Sequence, residues 1–171
     1  TIQQMSRMSL ELLNSEWRFR ALSDASPLGI FSTDLNGKCT YTNTQWQDIY
    51  GLSFEESLGD GWQAGLHPED IEKVFNDWRA KAPLGVEFDM EFRTQHKSGA
   101  VRHVHARAKP IVSFDEDISG FVGTVEDITE QQKLKIENSA LLNTIRAKFI
   151  MSITNARGDI VEVNDSFCEI S

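Results

Sequence analysis

Apolar positions recur along the chain with two periods, and the order in which those periods alternate predicts its elements. Residues 2–25 carry Met5, Met8, Leu12, Ser15, Phe19 and Leu22 at spacings of three and four, which predicts a helix ended by Pro27. That spacing serves two structures equally: a heptad seam interrupted only by Ser15, or an amphipathic helix packed on its own domain. Leu13 and Trp17 widen the stripe in the direction of the second. Residues 28–34 and 38–42 read as strands joined at Leu35-Asn36-Gly37, a hairpin signal because Asn and Gly both tolerate positive φ. Asn43 or Thr44 then caps a short helix that turns Trp46, Ile49 and Tyr50 inward and closes at Gly51. Ser53 and Glu56 form a capping box for another turn, and Gly59, Gly61 and Gly65 punctuate an irregular stretch around Trp62. His67-Pro68-Glu69-Asp70 opens a helix with Ile71, Val74, Phe75 and Trp78 on one face, ending near Pro83-Leu84-Gly85.

The period then switches to two. In 86–94, Val86, Phe88, Met90 and Phe92 point one way and Glu87, Asp89, Glu91 and Arg93 the other. After a Lys97-Ser98-Gly99 turn, 101–112 forms the longest strand, with Val104, Ala106 and Ala108 on one face and His103, His105, Arg107 and Lys109 on the opposite one. Symmetric closure about the turn sets Asp89 against Arg107, Glu87 against Lys109 and Glu91 against His105, and the matched signs support that register. It also sets Met90 against Ala106 and Phe88 against Ala108, large against small, which fills a core or borders a cavity. A third strand, 118–127, contains Gly120 and Gly123, whose missing side chains leave space on at least one face. It runs with almost no break into a helix over 130–149, and Thr129 with Gln132 has capping-box spacing at the junction. A stiff junction of this kind passes a shift of the sheet into the helix. Leu134, Asn138, Leu141 and Ile145 repeat at four, three and four, a second heptad seam with one polar position; packing back on its own domain is the alternative.

The chain's end repeats its beginning. Residues 31–50 align without a gap on 152–171 at an offset of 121, matching Thr33 with Thr154, Gly37 with Gly158, Asn43 with Asn164 and Ile49 with Ile170, with Trp46 over Phe167. Turn glycine, helix cap and inward positions coincide, so the chain begins a second copy of its first unit.

Composition narrows the partners. The 171 residues are 40% hydrophobic and 25% charged, a globular balance with room for one domain and part of another. The net charge of −9, with no basic run, argues against nucleic acid and against direct contact with an anionic membrane. Cys39 and Cys168 fit no metal knuckle or disulfide framework, which places the chain in a reducing, cytoplasmic setting. No apolar run is long enough to span a bilayer. Thr1 in place of an initiating Met points to an excised piece of a longer protein.

Two strands, several short helices, a longer helix, three antiparallel strands and an exit helix resemble the PAS domain. The motifs that carry the resemblance are Leu66-His67-Pro68-Glu69-Asp70, Met90-Glu91-Phe92-Arg93, Ser98-Gly99, Val104, Pro110, Gly120, Gly123 and Asp127-Ile128-Thr129-Glu130, similar to the family's HPxD, E-[YF]-R, DG, V…P and G…DITE signatures with the trailing PAC motif. Ser98 stands where the family usually has Asp. The resemblance implies an α+β fold with a five-stranded antiparallel sheet in order 2-1-5-4-3, short helices cupping a pocket on one face, and flanking amphipathic helices. The expected organisation is a flanking helix over 1–25, a PAS/PAC domain over 26–129, a linker helix over 130–148 and the start of a second PAS domain over 149–171, whose Ile160-Val161-Glu162-Val163-Asn164-Asp165-Ser166-Phe167 is similar to openings in tandem-PAS chemoreceptors and flavin-binding redox sensors.

Function by resemblance is that of a sensory, signal-relay and dimerisation module of a bacterial chemoreceptor, histidine kinase or diguanylate cyclase, with catalysis left to other domains. The signal would leave through Asp127, Thr129 and Gln132, and a homodimer would form along Met8, Leu12, Phe19, Leu134, Leu141 and Ile145. The alternative is a ligand-free spacer with a filled core. Pocket candidates are Trp46, Trp62, His67, Phe88 and Met90, and polar positions that would mark a ligand are Thr33, Thr40 and Thr124. No cofactor is the first expectation, with flavin or haem as the groups to look for. Light-sensing flavin chemistry of the LOV type is not expected, because no cysteine lies between Asn43 and Ala82. His67 is the one histidine in the helical wall that a haem would meet, although helix capping already explains it, and His103 and His105 share a strand face without a third metal ligand, so no metal is expected. A small-molecule ligand and the neighbouring PAS and output domains of the same chain complete the expected partners. No phosphate loop, nucleophile elbow or HExxH motif indicates an enzyme.

Overall fold

The computed structural model describes residues 2–168 apart from 114, 116 and 150. The chain divides into two compact units, 1–129 and 130–171. In the first, helix α1 (Ile2–Asp24) leads into β1 (Gly29–Thr33) and β2 (Cys39–Thr42), followed by α2 (Thr44–Tyr50), α3 (Phe54–Ser57), a 3₁₀ turn (Gly61–Gly65) and α4 (Ile71–Lys81). A second 3₁₀ turn (Ala82–Leu84) leads to β3 (Phe88–Gln95), β4 (Val101–Val112) and β5 (Ile118–Asp127). The five strands form one antiparallel sheet in the order β2-β1-β5-β4-β3, as expected. The β3–β4 register is the one the charges dictated: Asp89 pairs with Arg107, Met90 with Ala106 and Glu91 with His105.

Alternation then decides what the sheet buries. Val104, Ala106, Ala108, Phe121 and Val125 face the short helices and are almost wholly buried, joined by Ile49, Tyr50, Val74 and Trp78 from the helical side. Trp78 meets Phe121 and Phe88 edge to face, with ring centroids 5.1 and 5.4 Å apart. Each such aromatic contributes roughly 1.5–3 kcal/mol by burial. At Gly123 the missing side chain is filled from the neighbouring strand: a Cβ there would stand 2.5 Å from the Phe31 ring.

Several expectations are corrected. Val86 precedes β3 and is exposed. The β1–β2 turn is organised by Asp34, whose Oδ1 accepts the Asn36 and Lys38 N–H groups, with Gly37 taking φ +76°. Helix α4 begins at Ile71, because the Asp70 carboxylate leaves the cap position for Arg93, and Pro68 sits in the preceding turn. Packing of α1 on its own domain is confined to its last turns, where Phe19 meets the Tyr41 ring at 5.3 Å and Ser23 accepts from the Tyr41 hydroxyl. Trp17 is 70% exposed and Leu13 lies open as well, so neither covers the sheet.

The second unit comprises α5 from Glu130 onward (Thr129–Lys148), β6 (Ser152–Thr154), β7 (Ile160–Val163) and α6 (Asp165–Cys168). Its hairpin repeats β1–β2 residue for residue at the 121 offset. Ser152 pairs with Val163 as Phe31 does with Thr42, the register shifts at the equivalent position, and Gly158 takes φ +90°. Asn155 holds the turn through the Arg157 and Asp159 N–H groups as Asp34 does in the first copy. The match of Ile49 with Ile170 lies outside the described residues.

Candidate functional site

The interior between sheet and helices is built mainly from rings. The N-cap at Asn43 starts α2 so that Trp46 and Tyr50, one turn apart, stack inward with centroids 3.8 Å apart. With Phe31, Trp62, Trp78, Phe88 and Phe92 they line an almost wholly apolar cavity of about 50 Å³. A water needs roughly 10–15 Å³ by the same measure, and sites for drug-sized ligands span about 300–1,000 Å³. The space therefore suits a few waters or one small molecule. Flavin and haem do not fit these residues as packed. No histidine is among the lining residues, and the lining thiol of Cys39 is pushed up by burial and donates to the Tyr41 carbonyl, which leaves it a poor thiolate ligand. Burial likewise pushes the Tyr50 phenol far up, so it stays neutral.

Of the pocket candidates, Trp46, Trp62 and Phe88 line the cavity. Met90 packs at the core's margin between Phe88 and Phe92, whose rings reach further in. His67 stays at the turn before α4, where its Nδ1 accepts the Glu69 N–H and its own N–H donates to the Arg93 carbonyl; neither Met90 nor His67 is a lining residue. Thr33 lines the cavity, whereas Thr40 bonds Ser32 on an exposed face and Thr124 pairs with Ile30 and Arg107, away from it.

The exit from the sheet is tied more closely than capping alone requires. Asp127 Oδ1 accepts from the Thr129 backbone N–H at 3.0 Å and from the Thr129 hydroxyl at 2.5 Å. The same hydroxyl accepts the His103 N–H at 3.0 Å, and the Ile128 N–H donates to the His103 carbonyl. Gln132 falls in the first turn of α5. Next to His103, Arg102 places Nη1 2.8 Å from Asp48 Oδ2 and 3.5 Å from Asp127 Oδ2. Asp48 lies on α2 between Trp46 and Tyr50, so one guanidinium joins the cavity wall to the junction. Sequence reasoning missed Arg102 and Asp48, because their partnership spans 54 residues and neither belongs to a local motif.

A second charge cluster fixes α4 to β3. Arg93 donates to Asp70 through its backbone N–H, Nε and Nη2 at 2.8–3.0 Å, and to Glu69 at 2.9 Å. The Arg93 guanidinium holds the Asp70 carboxyl down to about 2. On the outer face, Lys109 pairs with Glu87 as expected, while Asp89 reaches diagonally to His105 at 2.6 Å as well as to Arg107 at 3.3 Å. His105 is thus held by a carboxylate on its own sheet. At the seam positions, Met8, Leu12, Phe19, Leu134 and Leu141 are exposed and Ile145 is half-buried.

A family model described as PAS fold matches residues 40–125. Three curated relatives align with most of the chain. An uncharacterized protein, y4lL, of Sinorhizobium fredii is 32% identical over 80% of this chain and 16% of its own length. The peroxide stress-activated histidine kinase mak1 of Schizosaccharomyces pombe is 27% identical over 66% of this chain and 7% of its own length. Sporulation kinase C of Bacillus subtilis is 25% identical over 80% and 33%. The chain therefore spans a third or less of the length of each. Among solved structures, the PAS domain of a Colwellia psychrerythraea protein superposes with a TM-score of 0.56 at 26% identity, covering 67% of this chain and 97% of that one. No helix among the described residues is long and apolar enough to cross a membrane.

Proposed function

The chain belongs to the PAS fold family, and from that premise we propose that residues 26–129 are a sensory relay module that passes a change at the α2 wall through Asp127 and Thr129 into α5. The observation that carries this reading is Arg102, shared between Asp48 on the wall and Asp127 at the exit. A displacement of α2 alters the hold on Arg102, and Arg102 alters the charge balance at the carboxylate that caps α5. The relay works in a larger signalling protein. Two of the relatives are kinases, which favours a histidine kinase over a chemoreceptor or diguanylate cyclase, with catalysis in domains outside this chain. A cytoplasmic location agrees with its two free cysteines.

Two further parts complete the reading. The exposed apolar stripes of α1 and α5 form the seam of a parallel homodimer, with a second copy of the chain as the partner. Residues 149–171 begin a second PAS domain, supported by the equivalence of turn, register and cap with the first copy.

The small aromatic cavity favours a minor alternative on one point only, that the stimulus reaches this domain mechanically instead of as a bound cofactor. The relay is tested by hydrogen exchange at amides 129–134 in Asp48→Asn and Arg102→Met. Faster exchange there in both variants, with the melting temperature nearly unchanged, is the expected result. Wild-type exchange at 129–134 in both variants would remove the route.

A further inference from the structure

Asn43 does more than cap α2. Its Oδ1 accepts the Trp46 N–H at 2.9 Å and also the Ile30 N–H at 2.8 Å, which fixes the start of β1. Its Nδ2 donates backwards, to the Ser23 carbonyl at 2.7 Å in the last turn of α1 and to the Leu28 carbonyl at 3.0 Å. A primary amide has two donors and one oxygen with two acceptor sites, so this buried side chain, 1% exposed, uses all of them. Ser23 belongs to the set of helix-end carbonyls that have no partner within their own helix. The amide thus joins three things: the end of the incoming helix, the first strand, and the helix that carries Trp46 and Tyr50.

The same join is built a second time in the same chain. Asn164 Oδ1 accepts from the Met151 and Phe167 N–H groups at 2.9 and 3.2 Å, and its Nδ2 donates to the Phe149 carbonyl at 2.5 Å and to the Arg146 carbonyl in the last turn of α5. At the offset of 121, Met151, Phe167 and Phe149 are the counterparts of Ile30, Trp46 and Leu28. Only the helix-end partner moves, by two residues. Side-chain capping alone would need one of these four bonds in each copy. Both copies retain the two backward donor bonds, one into the last turn of the preceding helix and one to the segment that follows it.

We infer that Asn43 and Asn164 are input contacts, positioning residues through which the helix entering each copy is coupled to that copy's first helix after the hairpin. The inference rests on the relay reading for the source of movement in α5, but adds its destination: α5 delivers to 164–168 through Asn164, as α1 does to α2 through Asn43. The chain is then a series in which every linker helix is the output of one unit and the input of the next.

Exchanging asparagine for aspartate separates the two halves of the side chain. A carboxylate at either position would keep the acceptor and an N-cap as good as the amide, while losing both backward donors. The full 171-residue chain is compared by hydrogen exchange as wild type, Asn43→Asp, Asn164→Asp and Asn43→Ala. In N43D, exchange at amides 21–26 is expected to rise on the order of tenfold more than at β5, with a lower melting temperature because the carboxylate faces the Ser23 and Leu28 carbonyls in a buried site. N164D is expected to do the same at 144–149 and to leave 21–26 unchanged. N43A, which loses both halves, is expected to destabilise the whole first unit. Unchanged protection at 21–26 in N43D overturns the inference: with N43A still destabilised, that result would make the residue a cap and nothing more. None of these measurements involves Asp48, Arg102 or Asp127, so the asparagine contacts and the exit route fail separately.

Discussion

Replacing Asp70 by Asn tests whether the α4–β3 ion cluster supports the fold that carries the relay. Asp70 accepts three hydrogen bonds from Arg93, two of them from the guanidinium, and its carboxyl is held at about 2 against an ordinary 3.8, chiefly by those bonds. A difference of that size corresponds to about 2.4 kcal/mol at full strength. The Arg93 side chain is 31% exposed, and screening there reduces the expected contribution to about 1–2 kcal/mol. The sign follows from the direction of the shift: a depressed carboxyl stabilises the fold fully above its unfolded value and loses that effect as pH falls from about 4 through about 2. Urea denaturation of wild type and D70N at pH 7, 4 and 3 measures the difference directly. The gap between them should be about 1–2 kcal/mol at pH 7 and should shrink by roughly half at pH 3. A gap that is the same at pH 3 as at pH 7, or absent at pH 7, would refute the assignment of that stability to the ionised Asp70.

Gly37→Ala should destabilise the first unit by about 1–3 kcal/mol, since the residue holds φ +76° and the new Cβ would lie 2.0 Å from Trp78 Nε1; thermal melts followed by tryptophan fluorescence check it. Thr129→Ala removes the acceptor of the His103 N–H and a partner of Asp127, with an expected loss of about 0.5–2 kcal/mol in urea denaturation. Leu12→Glu together with Leu141→Glu should convert a dimer into a monomer in light scattering at unchanged helix content, and a wild-type monomer at high concentration would remove the seam altogether. The purified chain should show no visible absorption band, and a flavin or haem band would contradict the fit of the cavity.

The sheet was largely legible because its information is local and periodic. Alternation named the buried face of β4, and the opposed charges of Glu87, Asp89, Arg107 and Lys109 set its register with β3. Gly37 and Gly158 mark both turns, although the acceptor that organises each one, Asp34 or Asn155, is a feature of turn chemistry separate from the turn glycine. Legibility ended where a side chain had two claims on it. Asp70 reads as an acid of the helix's opening turn until Arg93, 23 residues later, takes it. Asn43 reads as a cap and is one, but its amide half serves carbonyls 15 and 20 residues back. The facing of Phe88 and Met90 by alanines could not separate a filled core from a cavity, because the space is settled by Trp46, Tyr50 and Trp62 arriving from the helical wall. The stripe on α1 announced an apolar face without naming its cover, and Leu13 and Trp17 show how a wide stripe misleads.

The strength of the Arg102 link sets a limit on how this unit can signal. Its Asp48 partner has a side chain 64% exposed, and pairs of that kind contribute about 0.2–1 kcal/mol. Alone, that biases an equilibrium at α5 by a factor of about 1.4–5, far short of the roughly 5.5 kcal/mol that carries a two-state element from one extreme to the other. The bonds of Ile128 and Thr129 to His103 hold the junction in place without touching α2, so in the proposed relay they would transmit without amplifying. Gain has to come from repetition. In the proposed dimer two protomers would add their biases before the output sees them, and the proposed second copy, through Asn164, would offer the linker helix another element to shift. A weak link in the first unit, multiplied by the proposed dimerisation and tandem arrangement, is consistent with an interior too small for a large cofactor and with helices whose apolar faces lie open along most of their length.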